Sequence, residues 1–149
     1  MNLNILLLRQ ISVLSMFFGM IAGFLTLIPF IGMFSFLFLI CFVAPLVIWL
    51  LIKYGCISLS SVNDGIIIGA ISGFVAYLSF SIIFIPISFI LMKLFHFAAN
   101  YGVGMIVNNA GFFILFITSI FIGVIGATIN AFTGFITFYV IEFINSIKK

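Results

Sequence analysis

The chain has 149 residues, of which 66% are hydrophobic and 5% are charged, with a net charge of +3. A soluble domain carries about 25% charged residues and about 45–50% apolar ones. This composition excludes an ordinary soluble globule and a disordered chain. It also excludes a nucleic-acid binder, whose phosphate contacts need clustered Lys and Arg.

An apolar chain of this kind belongs in a bilayer, where one crossing uses about 20 residues. Four crossings and their turns would consume most of the length. The expected fold is therefore an all-α, polytopic transmembrane four-helix bundle, with residues 1–149 forming a single integral membrane domain. Arg9 precedes the first apolar run as it would in a signal peptide. The run continues past signal length without a convincing cleavage site, so a retained first helix is expected.

The uncharged stretch from Gln10 to Ile52 is too long for one crossing. Pro29 and Gly32 lie near its middle, where proline interrupts a helix and glycine permits a tight reversal. The pattern predicts helices over 7–28 and 33–52, joined as a first hairpin (7–52). Pro45 predicts a kink within the second of them. Residues 53–64 are the most polar segment. Ser60, Ser61, Asn63 and Asp64 are helix-capping types, and a third helix is predicted over 65–92, with Pro86 inside it. Lys93, His96, Asn100, Tyr101, Gly102 and Gly104 mark a second reversal at the membrane interface. Asn108, Asn109 and Gly111 then precede a fourth helix over 111–138, extending to 147. Together these make a second hairpin (65–147).

Basic residues favour the cytoplasmic side. With the N-terminus inside, Arg9, Lys53, Lys148 and Lys149 are all cytoplasmic and only Lys93 falls outside. Both termini are therefore expected in the cytoplasm of a multi-pass cell-membrane protein. Trp49, Tyr54, Tyr101 and Tyr139 lie near predicted helix ends, as interfacial anchors do. Tyr77 lies away from the ends and is expected inside the bundle.

Small residues recur at four-residue spacing: Ser15, Gly19 and Gly23; Gly65, Gly69 and Gly73; Gly123, Ala127 and Ala131. Gly126, Asn130 and Gly134 lie beside the last set. Such positions share a helix face and let backbones approach closely in a membrane. These are the expected helix-packing residues, facing the bundle interior or another subunit. Gly19-Met20-Ile21-Ala22-Gly23-Phe24 also mirrors Gly69-Ala70-Ile71-Ser72-Gly73-Phe74 at an offset of 50 residues. A duplicated hairpin would put both copies in the same orientation.

The residues that carry chemistry are few. Asp64 suits a helix cap, and Glu142 lies late in the fourth helix. His96 has no Cys, Asp or Glu at metal-ligand spacing. Cys41 and Cys56 do not make a disulfide framework. No nucleophile triad, zinc-protease element or phosphate loop is present, and no cofactor or metal is expected. Asn130 is the most prominent midspan polar group. Its amide needs partners when buried, and Thr118, Thr128, Thr133, Ser72 and Ser79 are the expected ones. Asn130 and Glu142 are also the residues that would line a polar path.

The elements Gly19/Gly23 and Asp64-Gly65, Gly69, Gly73 give residues 15–74 a resemblance to small uncharacterised prokaryotic four-helix membrane proteins with Gly-rich helices. That resemblance implies four helices and a bacterial-type membrane, but no activity. The leading expectation is a structural or accessory subunit of a membrane assembly that packs through its Gly, Ala and Ser faces. Its partners would be the bilayer and either further copies of itself or a larger membrane complex, and not nucleic acid. The alternatives are a minimal oligomeric channel or transporter for an ion or small solute and, third, an integral membrane enzyme. The shortage of ionisable groups argues against an enzyme.

Overall fold

A computed structural model describes residues 5–97, 109 and 112–147. The second reversal (Asn100, Tyr101, Gly102, Gly104, Asn108 and Gly111) and Lys148 and Lys149 lie outside them. The chain is an all-α, multi-spanning membrane bundle. Its described helices are α1 (Ile5–Thr26), α2 (Ile31–Cys41), α3 (Val43–Lys53), α4 (Val62–Phe95) and α5 (Phe112–Ile147). Helices α1, α4 and α5 are each long and apolar enough to cross a membrane, whereas α2 and α3 qualify only as a pair bent by 61°.

The helix expected over 33–52 is thus two helices meeting at Phe42. Pro45 accounts for the position of the break, one turn before itself. Its ring clashes with the carbonyl four residues back, that of Cys41, and it brings no N–H to bond that carbonyl. Pro86 has no such effect on the helix assignment, since α4 runs through it from Val62 to Phe95.

The connections follow local chemistry. After α1, Pro29 and a left-handed Phe30 (φ 68°) reverse the chain. A side chain on Gly32 would come within 2.6 Å of the Thr26 carbonyl oxygen, so only glycine fits this tight approach. Helix α3 ends in a Schellman motif. Gly55 is left-handed (φ 68°), the Gly55 N–H donates to Ile52 and the Cys56 N–H donates to Leu51. Ser61 and Asp64 form a capping box at the start of α4.

Contacts along the helices give their relative directions. Ser35 Oγ donates to the Ala22 carbonyl at 2.9 Å, and Phe18 meets Phe38 edge-on. With Gly32 against Thr26, these place α2 antiparallel to α1. Gly19 lies against Ala76, and Gly23 against Phe80 and Ile83, so α4 runs parallel to α1. Gly65 lies against Gly134, and Gly69 against Asn130, so α5 runs antiparallel to α4. The α1–α2 turn, the C-terminal end of α4 and the start of α5 therefore share one end of the bundle, called the turn end below. Ile11, Leu39, Val43, Val47, Ile48, Leu51 and Ile68 fill the core. Phe17, Phe34, Phe113, Phe121 and Phe132 face outward, as lipid-covered side chains do.

Candidate functional site

Two features stand apart from ordinary helix packing: the break at Phe42 and a cavity toward the turn end. Asn130 of α5, only 1% exposed, serves the break. In an unbroken helix the Ala44 N–H would bond the Ile40 carbonyl. Here the Ala44 N–H donates to Asn130 Oδ1 at 3.0 Å, and Asn130 Nδ2 donates to the Ile40 carbonyl at 2.8 Å. The carboxamide is inserted into that backbone pair. A side chain entering the ladder is one of the recognised causes of a sharp kink. Nδ2 also approaches the Leu39 carbonyl at 3.2 Å and the Gly126 carbonyl of its own helix at 3.0 Å. Both amide hydrogens are thereby engaged.

Glycine makes room for this insertion. A Cβ on Gly73 would lie 2.5 Å from Asn130 Cβ and 2.9 Å from Nδ2. A Cβ on Gly65 would lie 2.6 Å from the Gly134 carbonyl oxygen. Along α5, Gly123, Gly126, Asn130 and Gly134 are buried, and Ala127 and Ala131 are half-buried. Ser15, Gly19, Gly23, Gly65, Gly69 and Gly73 are all buried. The 50-residue echo does not extend to neighbours: Gly19 and Gly23 meet α4, whereas Gly69 and Gly73 meet α5.

The side chains expected to pair with the Asn130 amide donate to backbone carbonyls instead, Thr133 to that of Asn130 itself. Thr118, Thr128 and Ser79 each donate to the carbonyl four residues back, and Ser72 and Thr133 to the one three back. Sequence reading missed the backbone of α2 and α3 as the true partner, for which Pro45 was the available signal. Glu142 is exposed and lies twelve residues along α5 from Asn130, about 18 Å away. Asp64 Oδ2 accepts the Ser60 and Ser61 N–H groups, each at 3.1 Å, and the Ser60 hydroxyl at 2.9 Å. It sits at the first turn of α4, where a carboxylate also meets the positive end of the helix dipole. Lys93 lies near the Phe89 ring and His96 takes a left-handed conformation where α4 ends. Among the described residues, no three His, Cys, Asp or Glu side chains gather as a metal site.

The cavity has a volume of about 680 Å³ and lies between the α1–α2 turn, α4 and α5. Its wall on α4 is the helical stripe Tyr77, Ser81, Phe84 and Ser88, with Phe80 and Ile85 beside it. Phe30, Met33 and Phe36 face it from the turn and α2, and Leu115, Ser119 and Ile122 from α5. Among the described residues no Asp, Glu, Lys, Arg or His lines it. The Tyr77 ring lies against Gly123 and Gly126 and meets Phe36 edge-on, placing it toward the Asn130 end. Ser81 and Ser88 are 2% and 6% exposed, and their hydroxyls have no hydrogen-bond partner among the described residues. Ser15, Ser35, Ser72, Ser79 and Ser119, which are also buried, are all bonded.

No family model, curated protein or solved structure matches the chain. The likeness over residues 15–74 therefore stands at the level of a polytopic membrane protein with several apolar helices.

Proposed function

We propose that the protein is a small intramembrane binding protein of the carrier type, with four crossings and no enzymatic activity of its own. The observation that carries this reading is the cavity. It is large enough for a small-molecule ligand, whose sites typically span about 300–1,000 Å³, and it lies beside a crossing that is broken and held by one side chain. Discontinuous helices next to a binding site recur in membrane carriers, and that likeness is an analogy. The accessory-subunit reading relied on Gly faces meeting a partner. The Gly faces described here are spent on α1–α4 and α4–α5 contacts, which favours a self-contained bundle.

Helix direction supports four crossings. Parallel α1 and α4 are what a return crossing between them would give, and α2–α3 is the segment available for it. Two legs of 11 residues bent by 61° reach about 28 Å from end to end, against a hydrocarbon core of about 30 Å. A re-entrant loop would leave α4 antiparallel to α1. The charge distribution favours cytoplasmic termini and an outward-facing turn end.

Native mass spectrometry of the full chain, purified in mild detergent, tests this reading. The expected result is a monomer or homo-oligomer that releases a small molecule on activation. Recovery only as a stoichiometric part of a larger complex, with no small molecule, would contradict it and favour the accessory role.

A further inference from the structure

We infer that the turn-end cavity takes a neutral amphiphile: a mainly hydrocarbon molecule whose hydroxyl or carbonyl oxygens bond to Ser81 and Ser88. This rests on the binding-protein reading and names the ligand class for it. The walls supply the first half of the argument. They are mainly aliphatic and aromatic, with the hydroxyls of Thr26, Tyr77, Thr118 and Ser119 among them, and no Asp, Glu, Lys, Arg or His of the described residues lines them, so a charged group brought here would be desolvated without a counter-charge. A phospholipid headgroup or an inorganic ion is therefore a poor occupant.

The two hydroxyls supply the second half. A helical serine usually satisfies itself on the carbonyl of the preceding turn, as Ser15 and Ser79 do. Ser81 and Ser88 instead remain unbonded although buried. Buried polar groups without a partner are rare because they forfeit their bonds to water. Both belong to the stripe that lines the cavity, seven residues and about 10.5 Å apart along the helix. Each can donate one hydrogen bond and accept others. A pure hydrocarbon would leave both unsatisfied, whereas an extended molecule with oxygen atoms would satisfy one or both.

The test uses the purified full chain in phosphatidylcholine nanodiscs and two photoactivatable probes, diazirine-bearing hexadecanol and diazirine-bearing hexadecane. Hexadecanol is expected to label peptides containing residues 77–88 and 115–122, and unlabelled hexadecanol should compete. The double variant Ser81→Val, Ser88→Val should cut that labelling five-fold or more and leave hexadecane labelling unchanged. Its melting temperature should hold or rise, because the substitution removes hydroxyls that have no partner. Ile85→Trp keeps both hydroxyls but fills the cavity, and should lose the labelling too.

Labelling spread evenly over the outward faces of α1 and α5, or unaffected by either variant, would overturn the inference. Specific labelling in a chain that native mass spectrometry recovers only within a larger complex would sink the self-contained carrier reading and leave this site standing. A self-contained chain that releases a small molecule but shows no serine-dependent labelling would do the reverse.

Discussion

Asn130 on α5 accepts the backbone N–H of Ala44 on α3 at 3.0 Å. With the Ile40 carbonyl held by the same carboxamide, one side chain replaces a backbone hydrogen bond that the bend has opened. In a hydrocarbon environment no water is at hand to take over those groups. The break and the asparagine are therefore a single structural unit, contributed by opposite ends of the chain.

Replacing Asn130 by Leu should therefore be costly. Interhelical hydrogen bonds in membranes average only about 0.6 kcal/mol, because unfolded helices find other partners. The groups stranded here belong to a break enforced by Pro45, and a buried unsatisfied group costs about 1–3 kcal/mol. The expected loss is at least about 1 kcal/mol in detergent unfolding titrations. A neutral effect would mean that α2 and α3 satisfy themselves without Asn130.

The glycines should separate into two classes when changed to Ala. Gly73→Ala and Gly65→Ala press a Cβ on Asn130 or on the Gly134 backbone. Overpacking of this kind costs about 1–3 kcal/mol. Gly123→Ala would find its nearest neighbour, the Tyr77 ring, at 3.5 Å, an ordinary contact distance. Thermal unfolding of the three variants should show marked losses for the first two and little change for Gly123→Ala.

Asp64→Ala should weaken the start of α4. It removes the acceptor for two backbone amides and one hydroxyl, and loss of a capping side chain costs about 0.5–2 kcal/mol. Asp64→Asn keeps an acceptor oxygen and should lose less. Unfolding midpoints for the pair give the comparison, and equal stability of the wild type and the Ala variant would deny Asp64 a capping role.

Cysteines introduced beside Lys93 and Lys148 should react with impermeant maleimide from opposite faces of the membrane, with the Lys148 site reached from the cytoplasm. Reaction of both from the same face would contradict a four-crossing chain with cytoplasmic termini.

Composition alone was enough to read the membrane class, because so few charges leave no alternative solvent. The reversal near Pro29 and Gly32 was also legible, since both residues act on the backbone locally. The need of Asn130 for partners could be read as well, but their identity could not: they lie 86 to 91 residues away on another helix. The break was expected at Pro45 and lies at Phe42, because a proline acts on the preceding turn. The cavity left no mark in the sequence. It arises from how three separate segments stand apart, and serine at positions 81 and 88 looks like any other membrane-helix serine until its unmade bonds are seen.

The insertion of Asn130 into the bent α2–α3 pair is tested most directly by a distance across the bend. Spin labels at Met33 and Lys53, two exposed positions, would flank it in the reconstituted full chain. A 61° bend at Phe42 places their Cα atoms about 26 Å apart, against about 30 Å for a straight helix. Double electron–electron resonance should give a narrow distribution at the shorter distance in the wild type, and a broader or longer one in Asn130→Leu. A wild-type distance matching the straight helix, or an unchanged distribution in the variant, would contradict the role assigned to Asn130.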